Sequence, residues 1–322
     1  MCSLGMLLAN SAVAEKERIN KPAHGFHGIW YMNQPTQTEY VYKYSGGLGT
    51  YCAKHRPLAV YAPQVNKTFF VYGGAPAGNP RKLLHLIASY DHKTGLVSRP
   101  TLILDKETDD AHDNPVLSID AEGYLWVFST SHGISRPSYI SRSEQPWSID
   151  KFIPVHAYFD TPEGKRPFDN FSYFQVDYSP ELGFQVFYTH YHDPAVRTLF
   201  YTRSRDGVRW IPPIRVAAID EGHYHVSCFQ GNRAGVFFNY HPFGKKERGL
   251  NWRTNLYYLE TRDGGTSWTD VDGQPVELPL TTVGNSALVH DFAADGRLVY
   301  LKDAGFAPGA RRFLPRLRRA ES

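Results

Sequence analysis

The sequence predicts an all-β protein, a β-propeller of four-stranded antiparallel blades, and three observations predict it. Five segments share one layout: an apolar strand, a turn, a second strand, a variable loop, a third strand and a polar turn. The polar turns recur about 50 to 60 residues apart, the length of one blade. Composition suits pleated, half-buried surfaces, with aromatics at 14% (21 Tyr and 19 Phe) and turns supplied by 27 Gly and 22 Pro. A β-sandwich with regular hairpins is the weaker alternative.

The chain begins MCSLGMLLANSAVAEKER. The apolar run from Leu4 ends in Ala12-Val13-Ala14 before the charged Glu15. Residues 1–14 therefore read as a signal-peptide remnant without its basic leading region, and the protein is expected to be secreted or periplasmic. Cleavage there would leave Cys52 and Cys228, whose spacing specifies neither a disulfide nor a zinc site. No apolar run approaches the length of a membrane span, and a formal charge of +3 is too small to argue for nucleic acid. The chain is read as a monomer.

The repeats follow in order. The first is RPLAVYAPQVNKTFFVYGG with KLLHLIASYDHKTG, the second NPVLSIDAEGYLWVFSTSHG with SYISRSEQPW. The third is SYFQVDYSPELGFQVFYTHY with TLFYTRSRDGVRW, the fourth HVSCFQGNRAGVFFNYH with NLYYLETRDGGTSW. Thr261 to Trp268 fits the Asp-box pattern S/T-x-D-x-G-x-T/S-W, and Ser204 to Trp210 is the same box one residue short. Ser89 to Gly95 and Ser141 to Trp147 are degenerate copies. In such a turn the Asp caps backbone N–H groups, Gly takes positive φ and Trp packs between sheets, so Asp206 and Asp263 read as structural. The fifth repeat, NSALVHDFAADGRLVYLKD, is half a blade, and a tail with five arginines follows it. The propeller is placed at residues 25–303 with about four and a half blades, apparently truncated at its C-terminus, and residues 304–322 read as an unstructured basic tail.

Function in a propeller gathers at one mouth, and one stretch points to it. DDAHDNPVLSIDAEGYLWVFSTSHG holds a hairpin with His112 before its first strand and His132 after its second. In an antiparallel pair those two positions share an edge, so both imidazoles should meet on one face. The equivalent positions elsewhere are His55 and Arg56; Asn114; Tyr173, Tyr188, His190, Tyr191 and His192; and His223, Tyr224, His225, Asn239, Tyr240 and His241. Arg197 and Arg203 lie on the third strand of the third repeat. Few carboxylates join them beyond Asp113 and Asp193, which disfavours glycoside hydrolysis by paired acids. His, Tyr and Arg together suit β-elimination from a uronic acid. There a cation neutralises the carboxylate, a base removes the C5 proton, and an acid protonates the departing O4. His223-x-His225 with His241 also suggests a structural metal, zinc or calcium, that the chemistry itself would not need.

The HDNP…EGYLWVF…SHG stretch, FSYFQ, the FYTHY segment and LFYTRSRDGVRW resemble the BNR-4 group of propellers, which includes seven-bladed lyases acting on the anionic polysaccharide ulvan. The resemblance covers about residues 25–303 and is most specific in 109–133 and 186–210. It implies a centre of two histidines about twenty residues apart, a tyrosine and an arginine. Matched by motif these are His112, His132, Tyr188 and Arg203. Tyr188 would transfer the proton with help from His112, while Arg203 and His132 neutralise the carboxylate. Substrate contacts would come from Asn114, His55, Arg56, Tyr173, Tyr191, Arg197 and Tyr240. The departure is the missing C-terminal blades, which complete the substrate groove in the family. Two other readings stay open: a sialidase-like or other glycosidase propeller, and a carbohydrate-binding propeller without catalysis.

Overall fold

Four sheets of the computed structural model are propeller blades, each a run of four antiparallel strands in chain order. The structure describes residues 16–26, 54–306 and 316–317, apart from positions 77, 80–81, 109, 135, 193–195 and 243–251. Blade I comprises Ala59–Ala62, Lys67–Gly74, Leu84–Asp91 and Thr101–Asp105. Lys21–Pro22 adds to its outer edge, and the short strand Leu96–Val97 pairs with its third strand. Blade II comprises Pro115–Ile119, Leu125–Ser129, Tyr139–Ser143 and Phe152–Val155. Blade III comprises Ser172–Ser179, Gly183–His192, Val196–Ser204 and Ile214–Ala217. Blade IV comprises His225–Gln230, Arg233–Tyr240, Thr254–Thr261 and Leu288–His290. Leu301–Asp303, paired with Arg316–Leu317, forms a two-stranded sheet beyond blade IV.

The alternation of the inner strands explains why the blades stack. Successive side chains leave opposite faces of a strand, and here each face meets a different neighbour. Val127 enters the core between blades I and II, while Phe128 enters the core between II and III. Val186 and Phe187 divide in the same way between the II/III and III/IV cores, and Phe238 and Phe237 between III/IV and the cluster with Val299 and Leu301. Burial on both faces accounts for the nearly continuous apolar runs of these strands. Each large side chain so placed contributes about 1.5–3 kcal/mol.

The boxes terminate the third strands, and their polar groups are consumed locally. Asp263 Oδ1 accepts from the Ser267 N–H and the Thr261 hydroxyl, both at 2.9 Å. Asp206 Oδ1 accepts from the N–H groups of Val208 and Arg209, both at 2.8 Å. Trp268 then packs in the III/IV core and Trp210 in the II/III core. Gly207 has φ +71°, and a Cβ there would lie 2.4 Å from the Trp126 ring, so backbone conformation and packing both require glycine.

Three assignments change. Arg316–Leu317, inside the stretch read from sequence as an unstructured tail, is a strand paired with Leu301–Asp303. Leu288–His290, read from sequence as the start of the fifth repeat, pairs with Leu256 and Tyr257 and is the outer strand of blade IV. A hairpin of Tyr158–Thr161 and Gly164–Pro167, absent from the repeat layout, pairs in parallel with Arg209–Trp210.

Residues 54–58 run along the inner strands and join the blades. The Arg56 N–H donates to Phe174 O, Val176 donates to Arg56 O, and Leu117 donates to Pro57 O. Gln175 Nε2 donates to both Lys54 O and His225 O. Lys54 Nζ reaches Leu301 O, and Arg56 pairs with Asp303 at 2.6 Å. The segment thus ties blades II, III and IV to Leu301–Asp303, and it places His55 beneath the mouth.

Candidate functional site

The two ends of the blade II hairpin meet as their register requires. The rings of His112 and His132 stack with centroids 3.9 Å apart and planes 15° apart. One carboxylate holds both: Asp110 Oδ1 is 2.6 Å from His112 Nδ1, and Asp110 Oδ2 is 2.8 Å from His132 Nδ1. Asp110 also caps the short 3-10 turn Ala111–Asp113, accepting the His112 N–H at 3.0 Å. Arg136 braces it, with Nη2 2.8 Å from Asp110 Oδ2 and a two-pronged contact to the buried Asp113 at 2.9 and 3.0 Å. Burial alone would raise the Asp110 carboxyl, but the hydrogen bonds from the two histidines outweigh it and hold the group far below the usual carboxylate range. Burial lowers His112, against the Asp110 hydrogen bond that raises it.

Three tyrosines form the next layer. Tyr173 sits at a register shift in the first strand of blade III with φ +50°, a left-handed conformation that is strained for a tyrosine. Its ring lies 6.0 and 6.3 Å from His112 and His132, 5.6 Å from His55, and 5.3 Å from Tyr224. The Tyr191 hydroxyl donates to the Tyr173 hydroxyl at 3.2 Å. Arg253 lies 3.7 Å and Arg197 4.9 Å from the centroid of Tyr224. Burial raises the phenol of Tyr173 well above its ordinary value. Tyr224 goes the other way: burial would raise it, but Arg253 and Arg197 outweigh burial and lower it. Arg197 is 5% exposed, and among the described residues its Nε and Nη2 have no hydrogen-bond partner.

Of the residues singled out from sequence, His112, His132, His55, Tyr173, Tyr191 and Arg197 assemble here; Asn114 is buried directly after the capped turn. Others do not join them. The second strand of blade III runs on to His192, so Tyr188 does not end it. Tyr188 instead packs in the II/III core with Phe168 at 5.3 Å and Phe200 at 5.7 Å, where burial drives its phenol far upward. Arg203 lies six residues beyond Arg197 on one strand, about 20 Å away. It borders a groove beside the box, with Asp160, Asp206 and Arg209, and its Nε donates to Gly264 O at 3.1 Å. Tyr240 packs in the III/IV core against Tyr257. Arg56 is engaged by Asp303.

The histidine trio proposed for a metal is also dispersed. His223 accepts the Ile219 N–H through Nε2 at 2.9 Å and contacts Asn239 O through Nδ1 at 2.8 Å, which leaves no lone pair for an ion. His241 Nδ1 contacts Glu221 at 2.6 Å, and His225 is fully buried. Among the described residues, Asp110, His112 and His132 are the one group whose ligand atoms lie within 4.8 Å of one another. Those atoms bond to each other, and the Arg136 guanidinium on Asp110 opposes a further cation. Asp193 lies outside the described residues.

Sequence reasoning missed Asp110, Arg136 and Arg253, and placed Tyr224 at the mouth without a role. A signal for two of them was present. Arg197-Thr198 and Arg253-Thr254 begin the third strands of blades III and IV, and Tyr173 and Tyr224 enter the first strands of the same blades. The site repeats a Tyr/Arg pair across two blades.

The chain is similar to an ulvan lyase of Alteromonas sp. (strain LOR), 24% identical over 315 residues, covering 86% of this chain and 60% of that protein. Among solved structures, a PL25 ulvan lyase matches with TM-score 0.63 and 19% identity, over 80% of this chain and 66% of that one. The same enzyme bound to GlcA(1-4)Rha3S matches with TM-score 0.63 and 18% identity over the same shares. The polysaccharide lyase Uly1 matches with TM-score 0.56 and 13% identity, over 85% of this chain and 67% of that one. These likenesses establish the propeller fold, and the chain spans about two thirds of the length of these relatives or less. The model of the BNR repeat-containing family BNR_4 matches residues 85–300, about two thirds of the sequence, and the chain belongs to that family.

Proposed function

We propose that this protein is a polysaccharide lyase acting outside the cytoplasm, cleaving an anionic, ulvan-like polysaccharide by β-elimination at a uronic acid. The observation that carries the reading is Tyr224 held between Arg253 and Arg197, one tyrosine away from the His112–His132 stack. Elimination needs three functions at once. A cation must neutralise the C6 carboxylate so that the C5 proton becomes acidic, and Nε and Nη2 of Arg197, without a partner among the described residues, would be completed by a carboxylate. A base must take that proton, and Tyr224 has its phenolate favoured by the two guanidiniums. An acid must protonate O4 as the C4–O4 bond breaks and the C4=C5 bond forms, and a protonated His112 or His132 can donate through Nε2. A uronic acid substrate agrees with the GlcA-containing fragment bound to the PL25 relative.

Among the described residues, the carboxylates near the site are committed elsewhere: Asp110 to the histidines and Arg136, Asp113 to Arg136 and Lys106, and Glu221 to His241. The test is ultraviolet absorbance of the unsaturated uronate released from ulvan and other polyuronates. Tyr224→Phe should lower turnover about 10²-fold or more, whereas Tyr188→Phe should keep most of it. The reverse pattern would return the chemistry to Tyr188. Hydrolysis without an unsaturated product would exclude a lyase.

A further inference from the structure

The two stacked histidines share one carboxylate, and that carboxylate has no other free oxygen to offer. Oδ1 accepts the His112 N–H at 3.0 Å and faces His112 Nδ1; Oδ2 faces His132 Nδ1 and accepts from Arg136. We propose that Asp110 is a positioning residue that fixes His112 and His132 in the same tautomer, Nδ1–H, so that both Nε2 atoms carry the lone pair or the mobile proton at the mouth.

The argument is a count of donors and acceptors. An ionised carboxylate only accepts, so both Nδ1 atoms must donate to it. Arg136, itself fixed on Asp113 at 2.9 and 3.0 Å, keeps the Asp110 carboxylate ionised and oriented. With Nδ1–H committed on each ring, the lone pair of the neutral imidazole lies on Nε2, on the side of the ring away from Asp110. At 3.9 Å a charge on the His132 ring disfavours one on His112, which adds to the burial that lowers His112. Among the described residues, the charged and titratable groups facing the pair include Asp110, Asp113, Arg136, Tyr173, Tyr191 and the buried His55. Asp110 therefore does for two imidazoles what an orienting carboxylate does for one in a hydrolase triad. Its catalytic consequence rests on the lyase reading, in which the protonated pair supplies the proton to O4. The tautomer assignment does not rest on it.

Two measurements test the proposal. In ¹⁵N spectra of the wild-type protein with neutral imidazoles, His112 and His132 should each show a protonated Nδ1 and an unprotonated Nε2. An Nε2–H tautomer on either ring overturns the inference, whether or not the protein proves to be a lyase. Asp110→Asn offers one acceptor and one donor, so at least one ring must reverse its tautomer. In that variant kcat should fall about 10²-fold or more with KM little changed. Loss of the carboxylate removes the hydrogen bond that raises His112, so the alkaline limb of the kcat profile should move to lower pH. Asp110→Glu should recover part of the rate and restore the limb. An unchanged profile in a folded Asp110→Asn protein refutes the positioning role. If that variant does not fold, the wild-type spectra still decide the assignment. Wild-type protein inert on every polyuronate would remove the lyase reading and leave the spectra to judge Asp110 alone.

Discussion

His85, His223 and His225 are completely buried, and burial drives their pKa values down to about 3, 4 and 3. Unfolded, each would titrate near 6.5. Between those values the unfolded chain binds more protons than the folded one, so stability is fully present above about pH 6.5 and declines as the pH falls toward 4. At pH 5.5 an unfolded histidine is about ten parts protonated to one neutral, while its folded counterpart stays neutral. The loss is about 1.4 kcal/mol per histidine, or about 4 kcal/mol for the three, relative to pH 7.5. The structural reason is clearest at His223, whose Nε2 must stay unprotonated to accept the Ile219 N–H at 2.9 Å. Urea unfolding followed by tryptophan fluorescence at the two pH values measures the difference. His223→Gln removes the titration and keeps an acceptor for Ile219, so the stability difference between pH 7.5 and 5.5 should shrink by about 1.4 kcal/mol. An undiminished difference in that variant would show that His223 is already protonated in the fold, and the hydrogen-bond assignment would fail.

Two further outcomes follow from the boxes. Gly207→Ala forces a Cβ to 2.4 Å from the Trp126 ring at φ +71°, and the urea midpoint should fall by the equivalent of about 2–4 kcal/mol. Asp263→Ala leaves the Ser267 N–H and hydroxyl and the Thr261 hydroxyl without their acceptor. It should cost about 1–3 kcal/mol in the same assay, with activity per folded molecule unchanged.

The repeat was legible because two independent periods coincide: alternation within strands and the box spacing between blades. The outer strands were not. Leu288–His290 and Ile214–Ala217 are only three and four residues long, too short to show an alternating period. The meeting of His112 and His132 needed only the antiparallel rule, which is insensitive to where side chains point. Tyr188 and Arg203 needed direction along and across a strand, and there the reading failed. Placing the strand end at Tyr188 rather than His192 exchanged a core ring for a mouth ring, since Tyr191 is the one that reaches Tyr173. Asp110 was invisible for a different reason: its role exists only once both histidines are in place.

The third strand of blade III shows how the fold separates its two tasks. Arg197 at its start and Arg203 near its end are the same residue type on one strand, yet only the first meets Tyr224. At the far end the chain must turn tightly into the outer strand, and the box uses its polar groups to stabilise that turn, so Arg203 finds a backbone carbonyl. At the near end the three inner strands enter or leave over an axis already filled by residues 54–57, which bond to the inner strands. Side chains there are relieved of capping and register, and can be strained, as Tyr173 is at φ +50°, or carry N–H groups without a partner among the described residues, as Arg197 does at Nε and Nη2. A histidine, tyrosine or arginine in such a repeat is therefore a candidate for chemistry according to its end of the strand. Counted backwards from the box, Arg197 lies seven residues before Ser204 and Arg253 eight before Thr261, both at the near end, whereas Arg203 adjoins the box.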